Sequence, residues 1–146
     1  IEGYFTDKVN MSELNQITEE EAEDILVEMA DYIVSKKLKL ETYSDYPDSV
    51  SNNAKRALEW ADENGWGSCG TAVGKRRASQ LANKENITIS TIKRMYSYLS
   101  RHAPDLESSK TYSDGCGKLM YDSWGGKSAL SWSKSKLKQL DKDGDN

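Results

Sequence analysis

TAVGKRRASQLANKENITISTIKRMYSYLSRH, residues 71–102, decides the fold. In its second half Ile92, Met95, Tyr96 and Leu99 recur at intervals of three and four, the period of one side of an α-helix. Ser90 or Thr88 stands where a hydroxyl can accept from an unpaired first-turn amide and start that helix. Val73, Arg77 and Leu81, with Ala72, Ala78 and Ala82, give the preceding segment a thinner apolar face suited to close packing. Lys84-Glu-Asn-Ile87 between them is long enough only for a tight reversal. The stretch is therefore a short-turn helix pair, basic on both members.

Working outward, Ser49 or Ser51 can cap a helix over 52–63 that buries Ala54, Ala57, Leu58 and Ala61. A glycine-rich loop, Gly65-Trp-Gly-Ser-Cys-Gly70, then feeds the central pair. It has the look of a phosphate cradle, but Arg76 stands where a P-loop carries serine or threonine, and the reading is an anchored helix-entry loop. On the C-terminal side a polar loop covers 103–114. A short helix over 118–124 follows, Gly125-Gly126 ends it, and a last helix runs from Lys127 or Ser128 to Leu140. Trp60, Trp66, Trp124 and Trp132 are structural anchors, because four exposed indoles would be unfavourable.

Toward the N-terminus, residues 1–16 show no sustained period. Thr18 and Glu21 have capping-box spacing. The helix they open, over 19–36, is expected to bury Ala22, Ile25, Leu26, Met29, Ile33 and Val34, with carboxylates at its N-terminal end and lysines at the other. Residues 38–46 alternate weakly, and Asp45-Tyr-Pro-Asp48 marks a turn. The fold class is all-α, an irregular bundle of five to six helices around the central pair. Its segments are an acidic N-terminal arm and helix (1–48) packed on the main domain, a helical domain (49–140) and an acidic tail (141–146).

Charge sharpens that division. Residues 1–50 hold thirteen acidic and four basic side chains, whereas 51–146 hold eleven and sixteen, within a net charge of −4. One consequence is a candidate nucleic-acid surface of Lys75, Arg76, Arg77, Lys93, Arg94 and Arg101, arranged like a helix-turn-helix. The other is pairing of the acidic segment with the basic one, which needs no nucleic acid. Cys69 and Cys116, each flanked by glycine, are expected as free thiols, with a disulfide as the alternative if their Cα atoms lie within reach. The lone His102 is a capping or packing residue, without partners for a metal or for acyl transfer. Asp141, Asp143 and Asp145 lack the distal ligands of a calcium loop. The chain is read as a non-enzyme without metal or cofactor, and no run approaches the roughly 20 apolar residues that span a bilayer.

Several stretches taken together resemble a small helical domain of tailed-bacteriophage and prophage proteins, often associated with prohead-protease or capsid-related modules. They are Asn53-Ala-Lys-Arg-Ala-Leu-Glu-Trp60, Gly70-Thr-Ala-Val-Gly74, Ala78-Ser-Gln-Leu-Ala82, Ile92-Lys-Arg-Met-Tyr-Ser-Tyr98 with Arg101-His102, and Trp124-Gly-Gly126 with residues 129–132. The resemblance covers about 51–140. It implies a noncatalytic structural or protein-interaction domain, a virion-assembly partner, and a place in the host cytoplasm or virion rather than in a membrane. The alternative is a nucleic-acid-binding accessory domain that uses the six basic residues on DNA.

Overall fold

The computed structural model describes residues 19–38, 41–67, 69–104, 112 and 116–144. Eight elements follow in order: α1 (Glu19–Leu38), β1 (Thr42–Tyr43), α2 (Asp48–Asn64), α3 (Ala72–Ala82), β2 (Ile87–Thr88), α4 (Ile89–His102), α5 (Cys116–Ser123) and α6 (Gly126–Gly144). Among the described residues the architecture is an all-α bundle of six helices, with one antiparallel two-residue ladder in which Thr42 faces Thr88 and Tyr43 faces Ile87.

The central pair starts on two threonine caps. Thr71 Oγ1 accepts from the Gly74 amide at 3.0 Å and opens α3, and Thr88 Oγ1 accepts from the Thr91 amide at 3.2 Å and opens α4. Each removes one unpaired donor from a first turn. Lys84 makes the reversal with a φ of 55°, a left-handed value. Its ammonium donates to the Tyr46 carbonyl and lies 4.8 Å from the Tyr46 ring centroid. The buried Tyr46 hydroxyl in turn donates to the Glu85 carbonyl at 2.7 Å, and burial with the nearby Glu85 charge raises its pKa. The turn is thus fastened to the segment just before Pro47.

Val50, Ala54, Ala57, Leu81, Ile92, Met95, Leu99, Leu119 and Ala129 are wholly buried and form the centre. The alanines let α2 lie close to α3 and α5, while α4 packs along α6. Gly125 holds α5, α6 and α2 together. Its φ of 103° suits glycine, and a Cβ there would stand 2.5 Å from Ala129 Cβ and 2.9 Å from Val50 Cγ1. Asn53 of α2 donates to its carbonyl at 2.9 Å.

Four expectations change. The second helix begins at Asp48 behind Pro47, without a side-chain cap, and Ser51 lies buried inside it. Cys69 and Cys116 are not free thiols: they form a disulfide with Cα atoms 5.1 Å apart, closing the glycine loop onto the start of α5. Two glycine-flanked cysteines are adjacent in space because α5 packs beside α3, a proximity that 47 residues of sequence separation conceals. Leu26 and Val34 are not buried; they are 64% and 44% exposed. The last helix starts at Gly126. Thr18 and residues 1–16 lie outside the described residues, as do 105–111 and 145–146.

Candidate interaction cleft

α1 lies on α3 and α4 with Ile25 buried in the core, Met29 packed against it and a row of carboxylates alongside. The Ala72 amide at the start of α3 donates to Glu21 Oε1 at 3.3 Å. Glu28, only 5% exposed, places Oε1 2.7 Å from Arg77 Nη2 and Oε2 2.7 Å from Arg94 Nε. These are close ion pairs rather than well-aligned hydrogen bonds. Asp24 adds a longer contact to Arg94, 3.8 Å. Asp31 Oδ2 accepts from the Thr88 hydroxyl at 2.8 Å and from the Thr91 hydroxyl at 3.4 Å. Residues 21, 24, 28 and 31 fall at intervals of three, four and three, so one helix face carries all four carboxylates.

The six basic candidates accordingly have different surroundings. Arg77 is wholly buried, paired with Glu28, bonded to Gln80 and set 5.0 Å from the Trp124 ring centroid. Arg94 is half-buried against Glu28 and Asp24. Arg76 lines a separate polar cavity of about 310 Å³ with Asp31, Gln80 and Glu85. Lys75 lies over the Trp66 ring at 6.0 Å. Lys93 and Arg101 are exposed on α4. The fold brings Lys93, Arg94 and Arg101 to one place and leaves Lys75, Arg76 and Arg77 elsewhere.

That place is a cleft of about 620 Å³, walled by Glu21 and Asp24 of α1, Thr71 and Val73 at the start of α3, the outer side of α4, and Met120 and Trp124. Its floor is aromatic: Tyr98 stacks on Trp124 with centroids 4.5 Å apart and planes 13° from parallel, and His102 rests against Tyr98 at 4.4 Å. His102 is thus a packing residue. Gly74 lets α3 approach this floor closely: a Cβ there would displace Met120 Cε and crowd the capping Thr71 Oγ1 at 2.9 Å. The volume falls within the range of ordinary ligand sites, and the mixture of apolar floor and convergent polar groups is what such sites share.

The other tryptophans anchor the rim of the fold. Trp132 meets Tyr46 edge-on at 5.5 Å, Trp60 meets Tyr112 edge-on at 5.8 Å, and half-buried Trp66 carries the glycine loop against Gly70. Behind the cleft, Tyr112 donates to the buried Asp122 carboxylate at 2.7 Å. Burial first, then this bond and charge, push the phenol up to about 12 against an opposing influence from Arg56. Tyr121 is buried with its hydroxyl unpartnered, and its pKa is raised by burial and by Asp122.

Tyr98, Met120 and the inward carboxylates were not among the candidates. The signals were present: Tyr98 is four residues before His102 and three after Met95, and the acidic stripe repeats at helical spacing. Among the described residues there is no group of three or more His, Cys, Asp or Glu able to hold a metal ion, and no helix long and apolar enough to cross a membrane. No protein-family model, curated protein or solved structure matches the chain.

Proposed function

We propose that the chain is a noncatalytic structural and protein-interaction domain of a tailed-phage or prophage protein, taking a segment of a virion-assembly partner into the α1–α3–α4 cleft. The observation that carries this reading is the cleft itself. Tyr98, Trp124 and Met120 offer a floor for an apolar anchor side chain, and Lys93 and Arg101 offer cations for the segment's polar groups. Aromatic floors of this kind concentrate binding energy in a few contacts. The Cys69–Cys116 disulfide suits a protein that persists in a released particle, an oxidising setting.

The alternative is nucleic-acid binding, favoured by exposed Lys93 and Arg101 on one helix. It has fewer free cations than the sequence suggests, because Arg77 is buried against Glu28, and Arg94 is paired with Glu28 and Asp24. The deciding experiment titrates the whole chain with purified head-assembly proteins and with double- and single-stranded DNA across a salt series. Expected is saturable protein binding with shallow salt dependence, weakened on the order of tenfold or more by Tyr98→Ala. Binding to DNA at low salt that falls steeply as salt rises, with no protein binding, would transfer the function to the alternative.

A further inference from the structure

The outer face of α1 is built to meet a copy of itself. Leu26, Val27 and Val34 are 64%, 47% and 44% exposed, and Ile89 is the only other large apolar side chain counted as exposed among the described residues. Single exposed apolar residues are common on protein surfaces, but three within two and a half turns of one helix make a contiguous patch. Exposed Ala30 stands at its middle. The helix cannot turn this face inward, because its other side is fixed by the Glu21, Glu28 and Asp31 contacts to α3 and α4.

The pattern is symmetric about Ala30. Leu26 lies four residues before it and Val34 four after; Glu23 lies seven before and Lys37 seven after, and all are exposed. We infer that two copies of the chain associate through an antiparallel α1–α1 contact with its two-fold axis at Ala30. In that register Leu26 of each copy meets Val34 of the other, and Glu23 meets Lys37 at both ends. The small Ala30 side chain lets the helices approach at the crossing. Antiparallel packing also sets the positive end of each helix dipole beside the negative end of the other. A self-complementary patch is what a closed two-fold dimer requires, whereas an unrelated partner gives no reason for the mirrored charges.

The inference is independent of the cleft reading, and its test uses the full chain with the cleft residues intact. Sedimentation velocity over a micromolar to millimolar series should show a concentration-dependent dimer. Leu26→Glu should weaken it by about tenfold or more with unchanged far-ultraviolet circular dichroism, since Leu26 is 64% exposed. Glu23→Lys and Lys37→Glu should each weaken it, and the double charge swap should restore it. Under mild oxidation Ala30→Cys should cross-link between copies far faster than Lys55→Cys, an exposed control on α2. A monomer throughout the series would overturn the proposal, showing that the face is covered from within the chain or by another protein. A dimer in which Ala30→Cys cross-links no faster than the control would overturn it equally, by excluding the two-fold at Ala30.

Discussion

α1 and α4 fill their inner faces differently. α4 buries Ile92, Met95 and Leu99 and turns Lys93 and Arg101 to the cleft and solvent. α1 buries Glu28 beside Ile25, packs Met29 against the core, bonds Glu21 and Asp31 to the starts of α3 and α4, and leaves Leu26, Val27 and Val34 outside. What a helix buries is therefore set by the surface it meets. Burying Leu26 would gain about 1.5–3 kcal/mol, whereas a buried arginine without a counter-charge costs several kcal/mol. With Arg77 wholly buried in α3, an inward Glu28 wins over an inward Leu26.

The hardest test of that comparison is Glu28→Ala. It leaves the buried Arg77 guanidinium with Gln80 but no counter-charge, and it should lower unfolding free energy by about 3–5 kcal/mol in urea denaturation. Arg94→Ala should cost clearly less, because Arg94 is only half-buried and Glu28 keeps Arg77. A loss below about 1 kcal/mol for Glu28→Ala would mean that α1 is not held by this ion pair and that its orientation has another cause.

A matched leucine pair sharpens the contrast between the helices. Leu99→Ala in α4 should cost about 2–5 kcal/mol through lost burial and a residual cavity. Leu26→Ala in α1 should change stability by no more than about 0.5 kcal/mol when measured at dilute concentration, where self-association does not contribute. Similar losses at both positions would show the outer face of α1 to be packed against something in the monomer, and would undo the contrast between the two leucines.

The same contrast separates what was legible in the sequence from what was not. The central pair, its reversal at Lys84 and the Gly125-Gly126 break follow from local period and turn chemistry, and they stand where expected. Arg77 was half legible: it sits four residues from both Val73 and Leu81, so its helix face was the buried one, although its charge suggested a surface role. The inner face of α1 was also half legible: Ile25 is buried and Met29 packs on the core as their period suggested, whereas Glu28 joins them because Arg77 and Arg94 lie opposite it, which the sequence of α1 alone does not report. The disulfide and the cleft depend on contacts between segments far apart in the chain. No local pattern reports that Trp124 stacks on Tyr98 or that Met120 lines the same cleft.

A smaller effect than that of Glu28→Ala or Leu99→Ala is expected at the point where the two helices join. Thr88 Oγ1 acts twice, accepting from the Thr91 amide as the cap of α4 and donating to Asp31 of α1. Thr88→Ala removes both, and loss of a helix cap alone costs about 1 kcal/mol. Thr88→Ser keeps both polar contacts and should restore most of that loss. Thr88→Asp separates them: its carboxylate can still cap α4 but stands opposite the Asp31 carboxylate and cannot donate to it. If the contact between α1 and the start of α4 contributes to docking, Thr88→Asp should be less stable than Thr88→Ser and should accelerate amide hydrogen exchange in α1 more than in α4. Equal exchange in both helices would reduce Thr88 to a cap and leave Glu28 as the group that sets which way α1 faces.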